Sequence, residues 1–138
     1  MSDTIRRVDY YYTTVSDKPG EAQRVLAALQ EAGINLIGFS GFPHVARRAQ
    51  LDFIPEDPVA FAKAAKAAGV KLSKKKAGFW IQGDDRPGAI AEIAGKLSGA
   101  GINITAVDAV CAGSGRYGAL LWVKAPDVKK AAKALGVG

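Results

Sequence analysis

The 138-residue chain holds one cysteine, Cys111, and one histidine, His44. A single thiol closes no internal disulfide, and so thin a set of nitrogen and sulfur ligands makes no Cys/His zinc site, so neither metal nor cofactor is expected. Long apolar runs are missing too. Nothing approaches the ~20 residues that a bilayer span needs, and the start, Met1-Ser-Asp-Thr-Ile-Arg-Arg, lacks the apolar core of a signal peptide, so a cytoplasmic protein off the membrane is expected. Polar bias is also lacking: 49% of residues are hydrophobic and 23% charged, which excludes general disorder and supplies a buried core.

Lysine and arginine number 19 against 13 acids, a net charge of +6. Four of the cations, Lys71, Lys74, Lys75 and Lys76, crowd the middle of the chain. Such a run can hold phosphates, but it more often marks a solvated linker or a strand edge guarded by lysines.

Self-similarity is the strongest signal. Asp17-Lys-Pro-Gly20 returns as Asp85-Arg-Pro-Gly88, and Ala32-Gly-Ile-Asn35 returns as Ala100-Gly-Ile-Asn103, both at a separation of 68. Between the motifs run two one-faced helices, with apolar Ala22, Val25, Leu26, Leu29 and Ala32 in one copy and Ile90, Ile93, Ala94, Leu97 and Ala100 in the other. Proline in the first turn and Gly33 or Gly101 past the end mark the boundaries. Aromatic and β-branched stretches precede each helix, at residues 8–15 and 79–82, and others follow it, at 34–42 and 102–111. After a turn come third strands at 49–54 and 119–123, then second helices with faces Phe61, Ala64, Ala65, Ala68 and Val128, Ala131, Ala132, Leu135.

The pattern predicts an α+β chain of two ferredoxin-like βαββαβ modules, residues 1–73 and 74–138. Their sheets are antiparallel, with helices packed on one face, and the modules are joined side by side. Copy one continues through Val70-Lys-Leu-Ser into a fourth strand, whereas copy two stops at Val137-Gly138 with its last strand short or absent. In the strand order 4-1-3-2 that loss bares the first strand of copy two, so a neighbouring module or a second chain is expected to cover it.

The Asp-x-Pro-Gly turn leads from a strand into a helix, where free N–H groups and the helix dipole favour a carboxylate or phosphate. Pro87 fixes φ without wasting a donor, Gly88 permits close approach, and Asp85 either caps the helix or holds a cationic amine. An anion receptor beside a carboxylate suits a zwitterion. Asn35 and Asn103 follow the helices, each able to donate and accept, or to act as plain turn residues.

Taken together, the repeated Asp-x-Pro-Gly, the one-faced helix, Gly-Ile-Asn and the βαββαβ order resemble the ACT domain, a ligand-binding regulatory module attached to many amino-acid biosynthetic enzymes. Both copies match, over nearly the whole chain. The resemblance implies side-by-side pairing of modules and an amino acid held between the turn of one module and the start of the second strand of another. Carried over, it implicates Asp85, Arg86, Pro87, Gly88, Asn103 and Ile104, and in the other copy Asp17, Lys18, Pro19, Gly20, Asn35 and Leu36. It further implies an allosteric, non-catalytic regulator, a homodimer, and an enzyme of amino-acid metabolism as its target. No catalytic domain accompanies the modules in this sequence.

Other signals compete. Gly113-Ser-Gly-Arg-Tyr-Gly118 matches the dinucleotide fingerprint G-x-G-x-x-G, but it leads into Ala-Leu-Leu-Trp-Val, a strand, and reads as a hairpin turn. RNA binding is the alternative function: the RNA recognition motif shares this connectivity, and Tyr117-Gly-Ala-Leu-Leu-Trp122 partly matches its third-strand signature. Ala119 stands where that signature wants a stacking aromatic, so a nucleic-acid partner is disfavoured. His44 and Cys111 occupy matching hairpins with no orienting third group, which argues against catalysis.

Overall fold

The computed structural model describes residues 3–137, in ten regular elements. They are β1 (Thr4–Ser16), α1 (Glu21–Glu31), β2 (Leu36–Pro43), β3 (Arg48–Pro55), α2 (Pro58–Ala67), β4 (Lys76–Asp84), α3 (Ala89–Gly99), β5 (Ala106–Gly113), β6 (Arg116–Trp122) and α4 (Val128–Leu135). A 3₁₀ turn, Ala125–Asp127, leads into α4. The βαββα order runs twice, and the chain divides into two compact units, residues 9–76 and residues 3–8 with 77–137.

In the first unit the strands lie in the order β2-β3-β1, all antiparallel, with Tyr12 opposite Asp52 and Phe39 opposite Phe53. The apolar stripe of α1 delivers Val25 and Leu29, and α2 delivers Phe61, onto Val15, Leu51 and Phe53 of the sheet. The Phe61 ring sits 5.3 Å from Phe53 and 5.4 Å from Tyr11, close enough for aromatic pairing beyond simple burial.

The fourth strand expected after Val70 does not form. Val70 and Leu72 still pack against the core, but the ladder with β1 is replaced in part by side chains. Ser73 donates its amide to the Tyr12 carbonyl at 2.8 Å, Tyr12 donates its amide to the Ser73 hydroxyl at 2.9 Å, and the Thr13 hydroxyl donates to the Lys71 carbonyl at 2.7 Å. Hydroxyls that satisfy backbone groups compete with regular pairing.

In the second unit the order is β1-β4-β6-β5, and the strand beside β4 is formed by residues 4–8 of β1. The edge that the sequence leaves bare in copy two is therefore filled by the start of the same chain. Two adjacent arginines hide this extension in the hydrophobic pattern. Ile5 packs against the core while the Arg6 guanidinium stacks 4.6 Å from the centre of the Trp80 ring. The core joins Phe79, Ile81, Ala119 and Leu121 of the sheet to Ile93 and Leu97 of α3 and to Val128, Ala131 and Leu135 of α4.

The G-x-G-x-x-G match is a hairpin, as expected: Ser114 and Gly115 join β5 to β6 with φ of 58° and 68°. Two consecutive left-handed residues match the twist of the flanking strands. No helix among the described residues is long and apolar enough to cross a membrane.

Leu97 is fully buried in the second core, so Leu97→Ala should cost about 2–5 kcal/mol in urea unfolding. Val107→Ala on exposed β5 should stay within about 0.5 kcal/mol of the parent.

Candidate functional site

Both Asp-x-Pro-Gly segments fold alike. Gly20 and Gly88 take φ of 91° and 80°, and the amides of Glu21 and Ala89 donate at 3.3 Å to the carbonyls of Lys18 and Arg86. Proline at the second position and left-handed glycine at the third make each a type II turn. The helices thus begin after the glycines, so Pro19 and Pro87 precede the first helical turn rather than lying in it. Nor does Asp85 cap α3: the N-cap is Gly88, with no side-chain hydrogen bond. The turn aims the aspartate elsewhere, and its amide is fixed instead by the hairpin, since Asp85 donates to the Gly115 carbonyl at 2.8 Å. Asp17 does the same with the Arg47 carbonyl, also at 2.8 Å.

An open cleft of about 310 Å³ lies at the start of α3. Gly88, Ala89, Ile90 and Ala91 form one wall, Ala109, Val110 and Cys111 of β5 another, with Asp85, Arg86 and Tyr117 completing it. The first turn of an uncapped helix therefore meets a carboxylate across a mostly apolar hollow. Of the residues singled out in copy two, Asp85, Arg86 and Gly88 line this cleft. Pro87 shapes the turn behind it, and Asn103 and Ile104 fall in the segment before β5, outside the lining. In copy one the Asn35 side-chain amide reaches Glu56 at 3.4 Å, and Leu36 opens β2.

Arg86 is the most heavily engaged side chain of the turn. One terminal nitrogen donates to Asp3 at 3.2 Å and to the Asp84 carbonyl at 2.9 Å; the other donates to Glu92 at 2.6 Å and to the second Asp3 oxygen at 3.4 Å. The Asp3 side chain is only 7% exposed. Burial opposes its ionisation, but the hydrogen bonds and charge of Arg86, helped by Tyr117 and Lys96, outweigh that and hold its pKa below the ordinary carboxylate value. Asp3 and Glu92 in turn hold the Arg86 charge more firmly than usual.

The Tyr117 hydroxyl is buried beside Asp3 without meeting hydrogen-bond geometry to any group, and burial pushes its pKa up to about 12. Asp84, next along, pairs with Arg116 at 2.8 Å. On the far wall, the Asp85 carboxylate raises the pKa of the Cys111 thiol, keeping it protonated and a poor nucleophile. Among the described residues no cluster of His, Cys, Asp and Glu could hold a metal ion.

Asp3 and Glu92 were invisible as site residues in the sequence: no motif contains them, and Asp3 lies 83 residues from its partner. Tyr117 carried a signal only as part of the G-x-G-x-x-G match and of a broken RNA signature.

No family model matches the sequence, and no curated protein is similar to it. Solved structures are similar. A protein of Bacteroides thetaiotaomicron superimposes with a TM-score of 0.81 at 22% identity, over 94% of this chain and 87% of that one. The ligand-free regulatory subunit of aspartate kinase from Thermus thermophilus gives 0.65 at 19%, over 97% and 94%. A putative C-terminal regulatory domain of aspartate kinase from Porphyromonas gingivalis gives 0.57 at 17%, over 98% and 94%. The chain shares with these structures a tandem ferredoxin-like fold, the fold that its resemblance to ACT modules implies.

Because Asp3 ionises more readily folded than unfolded, its contribution is full above the ordinary carboxylate pKa and fades as pH falls through its lowered one. Asp3→Asn should lower Tm at pH 7, and the gap to the parent should close as the melts are repeated down to pH 2.5. A gap independent of pH would show that the charge of Asp3 contributes nothing.

Proposed function

We propose that the chain is a regulatory sensor that binds a small amino acid at the Asp-x-Pro-Gly turn of α3 and passes occupancy to an enzyme of amino-acid metabolism. One observation carries the reading: the uncapped first turn of α3 and the Asp85 carboxylate face the same cleft. Backbone N–H groups and the positive end of the helix suit an α-carboxylate, while Asp85 suits an α-ammonium. The apolar walls, Ile90, Ala109 and Val110, suit a small side chain.

The cleft is open on one side, and Asn103 and Ile104 do not line it. This favours a homodimer in which a second copy closes the site with one of its Gly-Ile-Asn segments. In that arrangement the turn at Asp17, Lys18, Pro19 and Gly20, with Asn35 and Leu36, serves as a second receptor. Fold likeness to aspartate kinase regulatory subunits favours a biosynthetic enzyme as the target and a sensor rather than a catalyst.

Thermal unfolding with each of the twenty amino acids tests this. A ligand at 100 times its Kd stabilises by about 2.7 kcal/mol, a rise of several degrees. Asp85→Ala should abolish the rise without altering the ligand-free melt. Absence of any response among the twenty would remove amino-acid sensing, and a full response in Asp85→Ala would move the site away from this turn.

A further inference from the structure

The resemblance and the cleft point to a zwitterion but leave open which side chains it tolerates; the charges around the turn bear on that. Among the described residues Arg86 is the only cation lining the cleft. Its guanidinium is already divided among Asp3, Glu92 and the Asp84 carbonyl. The Asp3 carboxylate has a made-to-fit seat: Gly83 lies beneath it, where any side chain would collide with Asp3, and Tyr117 lies beside it. Residues 4–8, paired with β4, deliver Asp3 to this seat. The charged groups lining the cleft are then Asp85 and Arg86; Asp3 and Glu92 hold that guanidinium from outside the lining, the Asp84–Arg116 pair lies alongside, and Lys96 adds a more distant positive charge.

We propose that Asp3 sets the charge selectivity of the cleft: by holding Arg86 it withdraws the turn's one cation from the ligand, so the cleft accepts amino acids with small neutral side chains and rejects those with a second carboxylate. The inference rests on the amino-acid reading of the same site. An α-carboxylate has the helix amides and an α-ammonium has Asp85, but a side-chain carboxylate finds no free positive group and meets Asp85. Like charges brought together in a partly enclosed site weaken binding on the order of a hundredfold. Without Asp3, Arg86 keeps the Asp84 carbonyl on one terminal nitrogen and Glu92 on the other, and the pair of N–H groups that held Asp3 becomes free to receive an anion. Asp3 acts through Arg86 and touches no ligand itself; it is a positioning residue that determines specificity.

Affinities from thermal shift and calorimetry on the full chain decide the matter, with alanine, serine and valine as neutral probes and aspartate and glutamate as acidic ones. The parent protein should bind at least one neutral probe and bind both acids about a hundredfold more weakly. Asp3→Ala should narrow that gap at least tenfold by tightening the acids, and Asp3→Ala combined with Arg86→Met should reopen it. A merely structural role for Asp3 would weaken all probes alike. Equal affinity of the parent for acidic and neutral probes overturns the proposal, even if no variant folds. So does an Asp3→Ala protein that still melts cooperatively yet keeps the gap or binds no probe. If no amino acid of either class binds the parent or any variant, it is the amino-acid reading that falls, and charge selectivity falls with it.

Discussion

A strand at the edge of a folded unit leaves a row of backbone amides and carbonyls that must find partners, and both units are organised by how they meet that demand. In residues 9–76, β1 is flanked on its outer side by the segment around Ser73, which bonds through one amide and one hydroxyl instead of a ladder. In the other unit, β4 is flanked by residues 4–8. The second solution has a consequence at the candidate site. Pairing along β4 holds residues 4–8 in place, and that puts Asp3 over Gly83 and against Arg86. The side chain of a turn residue is thus oriented by a residue 83 positions earlier in the sequence.

The two Asp-x-Pro-Gly turns show how one backbone can serve different electrostatics. Their dihedral angles and their hairpin hydrogen bonds are nearly the same, because a type II turn leaves proline and glycine little choice. The charges around them differ. After Gly20 comes Glu21, whose carboxylate pairs with Arg24 at 3.2 Å on the exposed face of α1, and an acid at the first helical position already satisfies the helix dipole. After Gly88 comes Ala89, and the acid of that helix, Glu92, is drawn to Arg86 instead. The first turn of α3 is thereby left with small apolar side chains and no acid of its own at the first position. For an incoming carboxylate it is the more receptive of the two turns.

Much of this architecture is legible in the chain. The separation of 68 between paired motifs, the i, i+3, i+4, i+7 stripes and the Gly-rich hairpin specify elements whose local chemistry and tertiary setting agree, and each forms close to where the pattern puts it. Legibility ends where a contact depends on long-range pairing. Arg6 and Arg7 break the apolar alternation that would have extended β1 to Thr4, since stacking on Trp80 cannot be read from spacing. The stretch after Val70 has apolar residues suited to a strand, yet the hydroxyls of Thr13 and Ser73 divert its bonds. At the site, Asp85 and Gly88 are legible because the turn is a local motif. Asp3 is not, because nothing in a lone aspartate near the start of a chain announces a partner 83 residues on.

The chemistry of the same cleft also bears on the proposed reading as a sensor. A catalytic thiol needs a base or a cation to draw off its proton, and Cys111 has the opposite neighbour, a carboxylate that keeps the proton on. The guanidinium that would stabilise developing negative charge is held by Asp3 and Glu92. Tyr117, with its hydroxyl buried and its pKa raised to about 12, is a poor proton donor or acceptor near neutral pH. What remains exposed to a ligand is a fixed set of amides, one carboxylate and apolar walls, each of which recognises charge or shape without exchanging a proton. In the proposed sensor, groups of that kind bind in proportion to fit, and occupancy is the signal they would give.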